Sequence, residues 1–167
     1  MRLKLRNGSA MWLLLLAGCG GAEAPPPPML LVEELPVSGS REVAANAGFT
    51  RCVTFTTDLR CRKDGVRVVG EGPFSAAVDV AGRDGEGGFD HLVVWHDSDQ
   101  TAVFAIGYAL DARGWRSCLV PTPGGGSGDQ KVWTRDGAPV RYAMDISFWG
   151  KRRMRVIPEW WADKPAC

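Results

Sequence analysis

The chain has 167 residues, and its 20 Lys and Arg against 19 Asp and Glu give a formal net charge of +1. These values exclude a tandem-domain protein and a generally basic nucleic-acid binder. Hydrophobic residues make up 45% and charged residues 23%, which is typical of a globular protein and excludes disorder throughout. With only two His and no internal repeat, we expect no cofactor or metal and no solenoid.

The first 18 residues have the three parts of a secretory signal peptide. Arg2, Lys4 and Arg6 precede an apolar run over 10–16, and small residues follow before Cys19. The run is far shorter than the ~20 residues that a membrane-spanning helix needs. We therefore predict a signal peptide over residues 1–18.

The end of this segment, Leu16-Ala17-Gly18-Cys19, resembles the lipobox of bacterial lipoproteins at all four positions. In that class the Cys thiol receives a diacylglyceryl group, the preceding peptide is removed, and the new amine is acylated, for instance with palmitate. The resemblance covers residues 1–19 and implies that Cys19 is a lipid anchor rather than an incidental thiol. Several acyl chains, at ~0.8 kcal/mol per buried methylene, hold a protein at a bilayer. Gly20 stands where lipoproteins kept at the inner membrane often carry Asp, which favours the outer membrane, facing the periplasm.

A tether and one domain follow the anchor. Residues 19–28 end in the four prolines Pro25 to Pro28, which favour an extended helix rising ~3.1 Å per residue. Residues 29–167 form the predicted single, β-rich domain. Cleavage after residue 18 removes three of the 20 basic and none of the 19 acidic side chains, so the mature charge is −2.

Short alternating segments separated by Gly, Asp and Pro predict an all-β domain, an antiparallel sandwich or small barrel of about eight strands. The candidate strand segments cover 51–57, 59–62, 66–69, 74–80, 89–96, 101–110, 115–120, 131–134, 140–149 and 153–157. Asp64-Gly65 is predicted to turn a hairpin, because Gly supplies a positive φ. The run 101–110 is apolar on both alternating faces, which predicts a central strand covered on both sides. At most one short helix is expected, over 41–47, with Ser40 as N-cap and Gly48 after its end.

Four cysteines remain once Cys19 is lipidated, an even number in a compartment that permits disulfides. Of the three possible pairings, we predict Cys52 with Cys61, whose strands would turn around residues 56 and 57, and Cys118 with Cys167. A four-thiolate zinc site is disfavoured because no two cysteines have the Cys-x-x-Cys spacing.

The clusters of polar residues are predicted to have structural rather than catalytic roles. His91 and His96 lie five residues apart on one predicted strand, which places them on opposite faces. Asp97-Ser98-Asp99 is predicted to be a turn, with a weak cation site as the alternative. The glycine-rich segment 124–128 is predicted to be a flexible loop, because the residues after it do not match a P-loop. We assign no catalytic residue and predict no enzymatic activity.

The C-terminal region is the most distinctive part of the domain, because basic side chains alternate there with tryptophans. Arg and Trp frequently anchor protein interfaces. The alternative is that the apolar residues pack and the basic ones line a solvated strand face. The candidate partner-binding residues are Trp149, Lys151, Arg152, Arg153, Arg155, Trp160 and Trp161.

These observations favour a lipid-anchored, protein-binding module of the bacterial cell envelope, with a periplasmic inhibitor or immunity-type protein as one concrete option. The alternative is a structural accessory of a secretion or outer-membrane complex, which would expose a large apolar patch. An envelope hydrolase ranks below both. It would require a histidine, a carboxylate and a hydroxyl within hydrogen-bond reach of one another in a cleft.

Overall fold

The computed structural model describes residues 25–120, 130–146, 152–161 and 167. Its elements in chain order are β1 (Leu30–Val32), β2 (Leu35–Ser38), α1 (Arg41–Asn46), β3 (Arg51–Thr54), β4 (Asp58–Val68), β5 (Glu71–Ala81), β6 (Leu92–Trp95), α2 (Phe104–Ala112), β7 (Arg116–Val120), β8 (Gln130–Thr134), β9 (Val140–Asp145), β10 (Met154–Pro158) and a 3₁₀ turn, Glu159–Trp161. Outside the described residues lie the predicted signal peptide, Cys19, the loop 124–128, Trp149 and Lys151.

Two antiparallel sheets make up most of the domain, which confirms the all-β prediction. Eight strands form one sheet in the order β3-β4-β5-β6-β10-β9-β8-β7, and β1 pairs with β2 in a small second sheet. The large sheet does not close, so the barrel alternative is wrong. Its two halves, β3 to β6 and β7 to β10, meet where β6 pairs with β10 over three residue pairs. We call this pairing the seam.

The core lies on one face of the large sheet. Alternate residues of β4, β5, β6, β10 and β9 point into it, and α1, α2 and the β1–β2 sheet supply the opposing side chains, including Val37, Ala44, Ile106 and Leu110. On the opposite face, the only buried apolar cluster among the described residues is Ala77, Val93 and Trp95. We call this second face the open face.

The first helix forms as the sequence predicts. The Ser40 side chain accepts a hydrogen bond from the Val43 N–H, which satisfies one of the free donors at the start of α1. Gly48 follows the helix with φ +89°, a conformation that glycine adopts at little cost. Ala44 is fully buried and fixes the inner face of this short helix.

The prediction that residues 101–110 form a central strand is wrong. These residues start with a turn and then form most of α2, so the described part of the chain contains two α-helices rather than at most one. The buried positions are Val103, Ile106, Gly107 and Leu110, with the spacing of a helix face. Because the run is apolar on every side, its composition fits a strand and a helix equally well.

The predicted hairpin at Asp64-Gly65 is also wrong. Strand β4 runs through these residues, and the pairing with β5 shifts register between Asp64 and Val66. Gly65 has φ +74°, as a β-bulge requires, so the positive φ expected of a turn serves a bulge instead. The chain reverses at Val69 and Gly70, both with positive φ.

Both predicted disulfides are present in the structure. Cys52 and Cys61 face each other across β3 and β4 with their Cα atoms 4.0 Å apart. Cys118 on β7 is bonded to Cys167, which holds the C-terminal residue at the edge of the large sheet. The two disulfides therefore link both edge strands of the large sheet, β3 and β7, to other parts of the chain.

Helix α2 packs on the sheet through a close contact at Gly107. A Cβ atom at Gly107 would lie 2.6 Å from Cζ2 of Trp133, which is itself 1% exposed. The Trp133 indole N–H also donates to the Asp111 carboxylate at 2.7 Å. These two contacts fix how the helix lies over β8.

Gly107→Ala should therefore lower the free energy of unfolding. Alanine favours a helix by about 1 kcal/mol over glycine, but overpacking against a buried ring costs about 1–3 kcal/mol. Thermal or urea unfolding measures the net loss. Tyr108→Ala, one residue along at a 71% exposed position, is the control and should change stability by no more than about 0.5 kcal/mol. A Gly107→Ala protein at least as stable as the wild type would contradict this packing.

Candidate functional site

The open face carries a cavity of about 270 Å³ that spans the seam. Its lining residues come from both halves of the sheet: Arg60, Asp79, His91 and Val93 from the first, and Asp145, Arg153 and Arg155 from the second. The strand register explains this meeting, because Val93 on β6 lies opposite Arg155 on β10. We call it the seam cavity.

One pair of charges in the seam cavity is already neutralised. The Arg60 guanidinium donates two hydrogen bonds of 2.6 Å to the two oxygens of Asp79, its partner across β4 and β5. This hydrogen bonding raises the pKa of Arg60 above its ordinary value. A bidentate pair of this kind holds both side chains in a fixed geometry. It forms one wall of the cavity.

The other two arginines of the seam cavity, Arg153 and Arg155, are not paired in the way that Arg60 is. Arg153 is exposed and Arg155 is half-buried. Neither guanidinium makes a hydrogen bond or an ion pair with any residue that the structure describes. Both line the seam cavity. Three arginines against two aspartates leave the cavity wall with an excess of positive charge.

The histidines lie just outside β6, and each has a local partner. The His91 ring is 2.6 Å from the Asp90 carboxylate, through Nδ1, and this hydrogen bond lowers the pKa of Asp90. His96 Nδ1 accepts from the backbone N–H of Asp99 at 2.9 Å. No hydroxyl within the described parts of the chain hydrogen-bonds to either ring.

A second depression, the tether groove, adjoins the seam cavity and shares His91 and Asp79 with it. Its volume is about 640 Å³, and its apolar wall consists of Pro25, Pro27, Pro28, Ala81, Phe89 and Trp160. Trp160 is 53% exposed. The groove therefore offers a large apolar surface beside the arginines.

The prolines of the predicted tether lie on the domain rather than extending freely from it. The Ser38 hydroxyl donates to the Pro28 carbonyl at 2.7 Å. Gly88, with φ +70°, leaves room for them, because a Cβ there would lie 2.6 Å from Cβ of Pro26. The chain that leads toward Cys19 thus departs from the tether groove.

The structure separates the predicted partner-binding residues. Arg153 and Arg155 reach the seam cavity and Trp160 reaches the tether groove. Arg152 packs over the Phe104 ring at 4.7 Å and donates to the Ile146 carbonyl, so it supports the start of α2 instead. Trp161 lies in the 3₁₀ turn, but its side chain is not among those described, and Trp149 and Lys151 lie outside the described residues.

The turn at Asp97-Ser98-Asp99 forms as predicted, and its carboxylates are engaged. Asp97 accepts from the Trp95 indole at 2.9 Å and from the Ser75 hydroxyl at 2.8 Å. Asp99 accepts from both the hydroxyl and the backbone N–H of Thr101, and these bonds lower its pKa. Within the described ranges, no group of three or more His, Cys, Asp or Glu could hold a metal ion.

Sequence reasoning did not identify Arg60 and Asp79 as site residues. They lie 19 positions apart, and only the register of β4 and β5 brings them together. Asp79 did carry a signal, because it interrupts the otherwise small or apolar run 74–80 on the face away from the core.

Comparison with known proteins gives no match to any family model, curated protein or solved structure. Among the described residues, no helix is long and apolar enough to cross a membrane.

The different environments of the arginines lead to a prediction about stability. Arg153→Ala and Arg155→Ala should each change the free energy of unfolding by no more than about 0.5 kcal/mol, because no hydrogen bond or ion pair with a described residue is lost. Arg141 is the control. It is 7% exposed and donates two hydrogen bonds to Glu159. Arg141→Ala should cost about 1–3 kcal/mol. Urea unfolding compares the three variants, and a loss at Arg153 or Arg155 as large as that at Arg141 would show that these side chains hold the fold.

Proposed function

We propose that the protein is a bacterial envelope lipoprotein, anchored through Cys19, whose open face binds an acidic segment of a partner protein. One observation carries this proposal. Arg153 and Arg155 lie side by side on a sheet face without partners among the described residues, next to the point where the tether leaves the domain.

Arginine is suited to binding an acidic segment because its planar guanidinium forms paired hydrogen bonds with a carboxylate. Arg60 and Asp79 already show that geometry within the cavity. An incoming Asp or Glu side chain would form the same contact with Arg153 or Arg155. The mature charge of −2 argues against attraction of acids by the whole molecule, so recognition would depend on this local group.

The fixed position of Arg153 and Arg155 beside the rigid Arg60–Asp79 pair favours a protein over a lipid surface. A bilayer presents many similar anionic head groups that move independently of one another. A folded partner can hold carboxylates in fixed positions against the arginines, which is the complementarity that gives an interface its specificity.

The tether groove supplies the apolar part of such an interface. Stable interfaces have an apolar centre with aromatic anchors and a polar rim. Trp160 offers exposed aromatic surface, and the seam cavity next to it offers the polar contacts. Six peptide steps separate Cys19 from Pro25, a reach of at most about 20 Å. The groove would therefore lie close to the bilayer, where a membrane-associated partner is within reach.

Site-specific photocrosslinking in intact cells tests this proposal. A photoreactive residue replaces Trp160, and the crosslinked peptide of the partner is mapped by mass spectrometry. We expect one protein, crosslinked next to a segment rich in Asp and Glu. The double variant Arg153→Glu/Arg155→Glu should reduce the adduct at least about tenfold, because it opposes like charges. Arg83→Glu, an exposed arginine in the loop after β5, is the control and should leave the adduct unchanged.

Three outcomes would overturn the binding proposal: no adduct, an adduct that survives the double charge reversal, or an adduct with phospholipid alone. Circular dichroism of the double variant checks that it folds. If the adduct is a single stoichiometric protein, an inhibitor or immunity role follows, whereas a multicomponent complex indicates an accessory role.

The anchor has a separate test. Mass spectrometry of the protein purified from membranes should show an N-terminal peptide that begins at Cys19 and carries acyl chains. Cys19→Ser should release the domain from the membrane fraction, because single contacts of the domain cannot replace several acyl chains. A leader still attached, with Cys19 unmodified, would contradict the anchoring.

A further inference from the structure

A second cavity, of about 240 Å³, lies at the far end of the long strands β4 and β5. Its residues include Val69, in the turn between these strands, whereas the tether groove contains Ala81, at the other end of β5. Strand β5 has 11 residues, so at ~3.3 Å per residue the two sites are about 30 Å apart. This distal cavity belongs to the covered side of the sheet, beside the end of α2.

Tyr142 is the most informative residue in the distal cavity. The residue is only 3% exposed, yet its hydroxyl makes no hydrogen bond with any other described residue. Burial raises the pKa of Tyr142 to about 12, so the hydroxyl keeps its proton at neutral pH and is a donor. Among the described residues, the Thr134 hydroxyl is the buried side-chain group that lacks a hydrogen-bond partner. The Tyr142 hydroxyl therefore reaches the solvent of the cavity, where it can donate to a ligand acceptor.

Two arginines stand at the entrance of the same cavity. The Arg113 guanidinium is 3.6 Å from the Glu33 carboxylate, a loose contact in which both side chains stay close to half exposed. Arg135 is exposed, and its side chain makes no ion pair or hydrogen bond within the described chain. With one carboxylate against two guanidinium groups, the cavity attracts a negative charge.

The remaining walls are apolar and rigid. Trp115 packs edge-on against the Tyr142 ring, with the ring centroids 5.1 Å apart. Leu110 of α2 is fully buried behind them. A flat or branched apolar group would fit against these side chains while a charged group stays near the arginines.

The rim of the distal cavity holds a strained backbone. Val69 has φ +56°, which is unfavourable for a β-branched residue. Its N–H donates to the Glu33 carboxylate at 2.6 Å, and this bond links the β4–β5 turn to the β1–β2 turn. Such strain, about 1–3 kcal/mol per residue, is concentrated at functional sites in proteins.

We infer that the distal cavity binds a small organic acid, with its carboxylate held by the Tyr142 hydroxyl and Arg135 and its apolar part against Trp115. The cavity is smaller than the roughly 300–1,000 Å³ of drug-sized sites, so the ligand is small or enters as the end of a larger molecule. This site is independent of the open face, since the two share no residue.

Nuclear magnetic resonance titration with benzoate tests the inference, and benzyl alcohol is the uncharged probe of similar shape. We expect saturable shifts of the Trp115 indole and Tyr142 ring signals, with benzoate bound at least about tenfold more tightly than benzyl alcohol. Tyr142→Phe and Arg135→Ala should each weaken benzoate binding about fivefold or more. Arg83→Ala, which removes an exposed arginine outside the cavity, should leave the affinity unchanged.

The stability of Tyr142→Phe separates binding from a structural role. Because the hydroxyl reaches the solvent of the cavity and has no partner among the described residues, this variant should unfold at about the same urea concentration as the wild type. The inference is overturned if benzoate gives no saturable shift at millimolar concentrations, if benzyl alcohol binds equally well, or if Arg135→Ala has no effect. Arg135 is exposed, so its variant keeps the test decisive even if Tyr142→Phe fails to fold. None of these outcomes bears on crosslinking at the open face.

Discussion

The pairing of β6 with β10 is the contact on which the rest of the structure depends. Only three residue pairs join the two four-stranded halves of the large sheet there. On the covered side, Val94 and Met154 add their fully buried side chains to a common core. On the open side, the same pairing places Val93 beside Arg155 and forms the seam cavity from residues of both halves. Folding and the candidate binding surface therefore rest on one contact.

The helices cover only one face of the large sheet, and this explains why charged residues lie on the other face. Helix α2 leads the chain from β6, in the middle of the sheet, to β7 at its edge, and it crosses the covered face. Gly107 allows this helix to approach Trp133 closely. On the open face, Ala77, Val93 and Trp95 form a small buried cluster, and the Arg62 guanidinium packs over the Trp95 ring at 5.5 Å. Charged side chains of the sheet itself therefore help to cover the apolar centre of this face.

Much of the fold could be predicted from local patterns. Alternation identified most strands, Ser40 and Gly48 marked the ends of α1, and spacing identified the disulfides. The segments whose structure was predicted wrongly have local sequences that fit more than one structure. The run 101–110 is apolar on all sides, and a positive φ at Gly65 serves a bulge as well as a turn. Arg153 and Arg155 stood out by composition, whereas the Arg60–Asp79 pair and the Tyr142 cavity depend on register and packing between distant segments.

Footprinting with hydroxyl radicals gives the most direct test of the claim that the open face and the adjoining groove are an interface. Oxidation is compared between the purified protein and intact cells at Trp160 and His91, and at Tyr108 on the outer side of α2. The account predicts that Trp160 and His91 become strongly protected in cells while Tyr108 reacts equally in both samples. Equal oxidation of all three residues in both samples would contradict it.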